Sequence, residues 1–236
     1  MQSNRKIILV VYILNLIFLI SSALIVNALV EPEKPEVNYT FNYDKEAKIN
    51  ELAVLNLKEA FNILKETEFI VDDKLLYAAI FRAFENRKTD AILFALDALK
   101  SPVITIKNGQ LLNRSDDIFV ARKIFEVFPE ESVDKILKYY EKSSAVIRGN
   151  IIRAIGNVSG EPIKSLLIKA LDDKTFCEEM GPEMGGYPLR ICDIAYNQLV
   201  LRYNIKNVLR CIGNVDKIEV RDYHIVNLKS KLKSIL

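Results

Sequence analysis

Four amphipathic stretches of the chain carry matching apolar pairs. Ile80/Phe84, Ile124/Phe128, Ile151/Ile155 and Ala195/Leu199 recur at intervals of 44, 27 and 44 residues. Apolar residues at i and i+4 lie on one face of a helix. The shorter interval holds one helix pair with its turns. Each longer interval holds a pair plus about fifteen further residues, near 101–115 and near 173–187. One helix pair cannot bury both of its apolar faces alone, so the pattern constrains the chain to stack pairs against one another.

Ahead of the array lies a different kind of sequence. Ile7–Val30 is almost unbroken apolar residues, preceded by Arg5 and Lys6, with no acid before Glu31. At about 1.5 Å per residue such a stretch reaches across a hydrocarbon core of about 30 Å. It reads as a signal anchor or as a signal peptide cleaved near Val26-Asn27-Ala28, and either places the remainder outside the cytoplasm. The expected localisation is membrane-anchored facing the periplasm or exterior, or secreted. Residues 1–30 are this segment and 31–44 a linker bearing Pro32 and Pro35. Residues 45–236 are the helical domain.

The chain has 33 basic and 31 acidic residues. Removing residues 1–28 takes away only Arg5 and Lys6, so the exported part is neutral. A nucleic-acid binder draws its affinity from a basic footprint, so no nucleic-acid partner is expected.

From Lys45 onward the apolar period is helical. Ile49, Leu52, Leu55, Leu57, Phe61 and Leu64 open the domain. The predicted pairs are Asp72–Glu85 with Thr89–Leu99, Asp116–Phe128 with Glu130–Tyr140, Ser144–Asn157 with Glu161–Leu171, and Leu189–Tyr203 with Ile205–Ile212. A closing helix spans Arg221–Ile235. Thr89 or Asp90 suits an N-cap, and Pro129 and Pro162 suit first turns. Between pairs, Val103–Lys107 and Gln110–Leu112 flank Asn108-Gly109, the signature of a type I′ turn, which predicts a small β-hairpin.

The third pair carries Ile147-Arg148, Ala154-Ile155-Gly156, Pro162, Leu166-Leu167 and Ala170-Leu171-Asp172. Leu189-Arg190 and Ala195 to Leu199 repeat its opening. These residues resemble bacterial HEAT repeats, closely over about 60 residues and loosely elsewhere. The resemblance implies an all-α, right-handed α-solenoid of about four to five HEAT-like pairs. It also implies a structural role for Arg148 and Arg190, each pairing with an acid from an adjacent repeat, with Asp172 and Asp193 as the candidate partners. Most members bind proteins; some are lyases, glycosylases or enzyme subunits.

The segment Thr175–Pro188 departs from the rest in composition. It holds Met180 and Met184, the glycines Gly181, Gly185 and Gly186, and the acids Glu178, Glu179 and Glu183, and is closed by Tyr187 and Arg190. Helix cannot run through its Gly-Pro and Gly-Gly steps. Long loops in compact domains are commonly functional, and Met adapts well to binding surfaces. Glu178, Glu179, Met180, Glu183, Met184, Tyr187 and Arg190 are therefore the candidate partner contacts. A loop folded back on the stack, with Met180, Met184 and Tyr187 as its own small core, is the competing expectation. Cys177 and Cys192 flank the loop; in an oxidising compartment they either bridge or stay free.

Nothing in the sequence marks a catalytic residue, a cofactor or a metal. Three Cys and the sole His224 lack a CxxC clip, no base stands beside a nucleophile, and no glycine cradle precedes Lys and Ser or Thr. The expected function is a non-catalytic scaffold that recognises a partner protein through its concave helix face and inter-repeat loops. A small-molecule ligand is not expected. An enzyme of the HEAT-like lyase kind, or an enzyme's accessory subunit, is the first alternative, and a structural envelope protein the second.

Overall fold

The computed structural model describes residues 43–100, 104–107, 110–113, 115–178 and 187–235. Ile7–Val30, Glu179, Met180, Glu183, Met184, Asn108 and Gly109 lie outside the described residues.

Eleven helices account for most of the described chain, which is all-α in class. The first region runs as α1 (Tyr43–Leu52), α2 (Leu57–Leu64) and the short α3 (Thr67–Ile70). Asn56 ends the predicted continuous stripe here: its side chain accepts from Glu59 N at 2.9 Å and starts α2 afresh.

Next come α4 (Asp73–Phe84), α5 (Lys88–Ala98), α6 (Ser115–Val127), α7 (Pro129–Glu141), α8 (Ala145–Ala154) and α9 (Glu161–Ala170). Asp72 caps α4 by accepting from Lys74 N and Leu75 N. Pro129 and Pro162 sit in the first turns of α7 and α9, where a missing N–H costs nothing. The predicted cap at Thr89 or Asp90 is corrected: α5 starts one residue earlier, with Arg87 at the cap position and no side-chain cap bond. Between α5 and α6, β1 (Ile104–Lys107) and β2 (Gln110–Asn113) pair antiparallel, Ile104 opposite Asn113 and Lys107 opposite Gln110.

The last helices are α10 (Ile191–Tyr203) and α11 (Ile218–Ile235). The predicted helix over Ile205–Ile212 is corrected to irregular chain. Asn204 ends α10 in the left-handed conformation at φ 44°, and Asn207 follows at φ 59°. Side chains of α10 then hold the segment in place of a helical ladder. Tyr196 donates to Leu209 O, and Asn197 accepts from Ile212 N and donates to Ile212 O. The closing helix accordingly begins at Ile218 rather than Arg221.

Packing follows the pair order. α4, α6, α8 and α10 neighbour one another in sequence, as do α5, α7 and α9; α11 lies on α10, and α2 touches both α4 and α5. All eight residues of the four apolar pairs are buried. At about 25 cal/mol per Å² of apolar surface, these shared faces dominate the stabilisation. Among the described residues, no helix is long and apolar enough to cross a membrane.

Candidate functional site

The long loop leaves and re-enters the stack between α9 and α10, and its two arms are zipped at the base. Cys192 N donates to Asp173 O at 2.9 Å, Ile191 N to Thr175 O at 3.0 Å, and Cys177 N to Leu189 O at 3.0 Å. Phe176 and Arg190 form an antiparallel bridge. Tyr187 N reaches Asn214 O at 2.6 Å, tying the returning arm to the chain ahead of α11.

Beneath this zipper lies a buried ionic network. The Arg190 guanidinium forks onto Asp193, with Nη2 to Oδ1 at 2.8 Å and Nε to Oδ2 at 3.2 Å. The Arg190 backbone N–H also donates to Asp193 Oδ2. Arg221 reaches the same carboxylate from α11 at 2.9 Å, and donates to Pro188 O and Tyr187 O at 3.0 Å each. Arg190 also pairs with Asp222 at 2.8 Å, and Lys174 with Asp222 at 2.9 Å. The side chains of Asp193 and Arg221 are fully buried.

Burial opposes the Arg190 charge, but Asp193 and then Asp222 outweigh it and raise its pKa above the usual value. Burial would lift Asp222, yet Lys174 and Arg190 hold its carboxyl below the ordinary range. Charges this deep persist because each is paired and hydrogen-bonded.

A second polar line runs from α6 to the loop. Arg122 donates to Arg153 O at 2.6 Å, and Arg153 pairs with Glu178, whose other oxygen accepts from Leu189 N. Underneath, Gly149 of α8 lets the outgoing arm approach. A Cβ there would lie 2.7 Å from Cys177 Cβ and 2.8 Å from its Sγ, closer than side chains tolerate.

The predicted site residues thus separate by role. Glu178 and Arg190 point inward as ties of the loop base. Tyr187 is 40% exposed and presents its ring at the surface, and Phe176, which the sequence reading did not single out, is 47% exposed on the other arm. Cys177 and Cys192 are free rather than bridged. The Cys177 thiol turns to Leu189 O at 3.3 Å and the Cys192 thiol to Asp193 Oδ1 at 3.7 Å, so each has its own acceptor. Burial above all pushes both thiols up to about 12, so neither is a thiolate nucleophile at neutral pH.

Arg190 meets the named acid Asp193, but within its own first turn rather than from an adjacent repeat, whereas Arg148 pairs with Asp173 at 3.3 Å and Asp172 goes to Lys229. Arg221, Asp222, Arg153 and Gly149 were missed. Arg221 left one signal: it shares its helix face with Ile225, Leu228 and Leu232, all buried. An arginine on an apolar stripe needs a buried acid to meet it.

Among the described residues, no group of three His, Cys, Asp or Glu side chains is placed to hold a metal. His224 packs its ring edge-on to Tyr223 with centroids 5.4 Å apart. Comparison with protein-family models, curated proteins and solved structures finds no match to this chain.

Proposed function

We propose that the chain is a HEAT-like protein-binding scaffold, anchored to or exported across a membrane through Ile7–Val30, and that the loop between α9 and α10 makes its principal contact. The observation that carries this reading is the contrast within the loop. Its base is fixed by buried ion pairs and backbone bonds, while Phe176 and Tyr187, one on each arm, leave their rings about half exposed. Rigid, exposed aromatics are the side chains that most often anchor protein interfaces, because they offer large contact area at small entropy cost.

The ordered packing of α4, α6, α8, α10 beside α5, α7, α9 is what a solenoid with the β1–β2 hairpin as an insertion between pairs requires. A scaffold of this kind presents loops from one edge.

The test is capture from native membranes with the full-length chain and with Phe176→Ala/Tyr187→Ala. Loss of a partner at unchanged thermal midpoint supports the reading. Equal capture by both chains overturns it.

A further inference from the structure

Away from the loop, α5, the end of α7 and the start of α8 enclose a cleft of about 460 Å³. Its apolar wall is Leu93, Ile147 and the Tyr139 ring, and Leu93 is 48% exposed. Its rim is Lys100, Lys135, Lys138 and Lys142, with Ser143 and Ser144 at one edge, and no acid lines it. The Tyr139 hydroxyl is buried on the wall, close enough to Lys100 to interact with its ammonium group.

The four ammonium groups are poorly neutralised. Lys100 pairs with Asp97. Lys135 donates to the Glu131 carbonyl at 3.0 Å and is close enough to the Glu131 carboxylate to act on it, although that carboxylate's ion pair is with Lys88. Among the described residues, Lys138 and Lys142 have no ion pair. The dipole of α7 welcomes cations in its last turn, and that accounts for Lys138 and Lys142 singly. It does not bring Lys100 from another element to the same cleft. Nor is the imbalance general: the next groove, between α7 and α9, sets Arg148 and Lys169 against Glu141, Asp172 and Asp173.

The edge of the cleft adds neutral donors. Ser144 stands at the N-cap of the ten-residue α8 with extended backbone, and its hydroxyl makes no capping bond. The first intrahelical bond runs from Arg148 N to Ser144 O, so the N–H groups of residues 145–147 have no acceptor in the helix. Amides at a helix start and lysine point charges together suit a compact, multiply charged oxyanion. The apolar wall suits an attached hydrocarbon or aromatic part.

We propose that this cleft binds a phosphate ester bearing an apolar group, its phosphate among Lys100, Lys135, Lys138 and Lys142 and its apolar part against Leu93 and Ile147. The site is independent of the loop and of the protein-binding reading. A lipid headgroup and a soluble organic phosphate share this chemistry.

The experiment titrates the full-length chain, in neutral detergent at low salt, with dihexanoyl phosphatidic acid, with phenyl phosphate and with dihexanoyl phosphatidylcholine. Binding is read by calorimetry and by thermal midpoint. The phosphate esters should bind, weaken as salt rises, and bind at least tenfold more weakly to Lys138→Gln/Lys142→Gln. Preference for phosphatidic acid assigns a lipid source, and preference for phenyl phosphate a soluble one. Ser144→Asp is the second variant: a carboxylate there is an equally good cap and interacts favourably with the helix dipole while occupying the oxyanion position, so binding should vanish with the midpoint held or raised. No binding of either ester, equal binding by the variants, or binding of phosphatidylcholine as tight as that of the esters would overturn the proposal.

Discussion

Two clusters of charge in this molecule obey opposite rules. At the loop base, Arg190, Asp193, Arg221 and Asp222 meet with each charge answered and most of the surface sealed from water. At the α5–α7–α8 cleft, four lysines share a rim that no acid lines, with Asp97 and Glu131 beside it. The first arrangement is expensive to desolvate and collapses if a member is lost, so it serves to fix chain geometry. The second is solvated, contributes little to folding, and leaves a positive field unspent. Burial and neutralisation together therefore separate charges that hold the fold from charges available to a ligand.

The comparison breaks most visibly at Asp193. Asp193→Asn keeps the shape but strands the guanidinium groups of Arg190 and Arg221 without their shared counter-ion. The expected loss is about 3–5 kcal/mol, read as a lower urea midpoint at unchanged slope. A loss under about 1 kcal/mol would mean that water reaches the network and that the loop is not pinned as argued.

Alkali is the next probe. Burial first, and neighbouring acids after it, raise Cys177 and Cys192 from 9.0 to about 12, and Tyr140 from 10.0 to about 12. In the unfolded chain these groups ionise near their ordinary values, while the folded chain keeps its protons. The unfolded state then binds fewer protons, so stability is full below about pH 9 and falls as pH rises toward 12. Thermal midpoints measured from pH 8 to 11 should decline, and Cys177→Ala/Cys192→Ala should flatten the decline. A thiol reagent at pH 8 should modify exposed Cys211 and reach the other two only on unfolding.

The sequence made the helical core legible because an i, i+4 apolar pair marks the buried face of a helix, and all eight of those residues are buried. Proline in the first turn was legible for a similarly local reason. Asn204 and Asn207 were not. Ile205–Ile212 has a helical composition, and bonds from Tyr196 and Asn197 of the preceding helix, with Lys231 of α11 on the Lys206 and Asn207 carbonyls, hold it in another form. The loop's place between α9 and α10 could be read from its Gly and Pro content. Its fastening could not, because Asp193 and Arg221 are 28 residues apart and meet only through packing. The lysine cleft was hidden for the same reason: Lys100 joins Lys135, Lys138 and Lys142 only once α5 lies against α7.

Gly149→Ala sharpens the picture on the loop side. The added methyl meets Cys177 Cβ at 2.7 Å, so either α8 or the outgoing arm must shift. Overpacking of this kind costs about 1–3 kcal/mol, partly offset by the better helix propensity of alanine. Cys177→Gly in the same chain removes the clashing atoms and should recover part of the loss in a double-mutant cycle. Strict additivity would mean that the arm does not lie against Gly149.

The smallest expected effect falls on the other cluster. Replacing Lys138 and Lys142 by Gln should move stability by no more than about 0.5 kcal/mol, as surface changes away from packed features do. Removing two of four like charges relieves repulsion, whereas losing two cations from the end of α7 weakens their favourable interaction with its dipole; the terms oppose and are similar in size. Salt distinguishes them from the loop base. Raising ionic strength from 0.01 M to 0.15 M shortens the screening length from about 30 Å to about 8 Å, so the stability difference between wild type and Lys138→Gln/Lys142→Gln should change with salt, while the difference between wild type and Asp193→Asn, whose native carboxylate is fully buried, should change little. If the Lys138→Gln/Lys142→Gln chain lost as much stability as Asp193→Asn, the lysines would be bracing the helices, and the division between charges that fold and charges that wait for a ligand would fail.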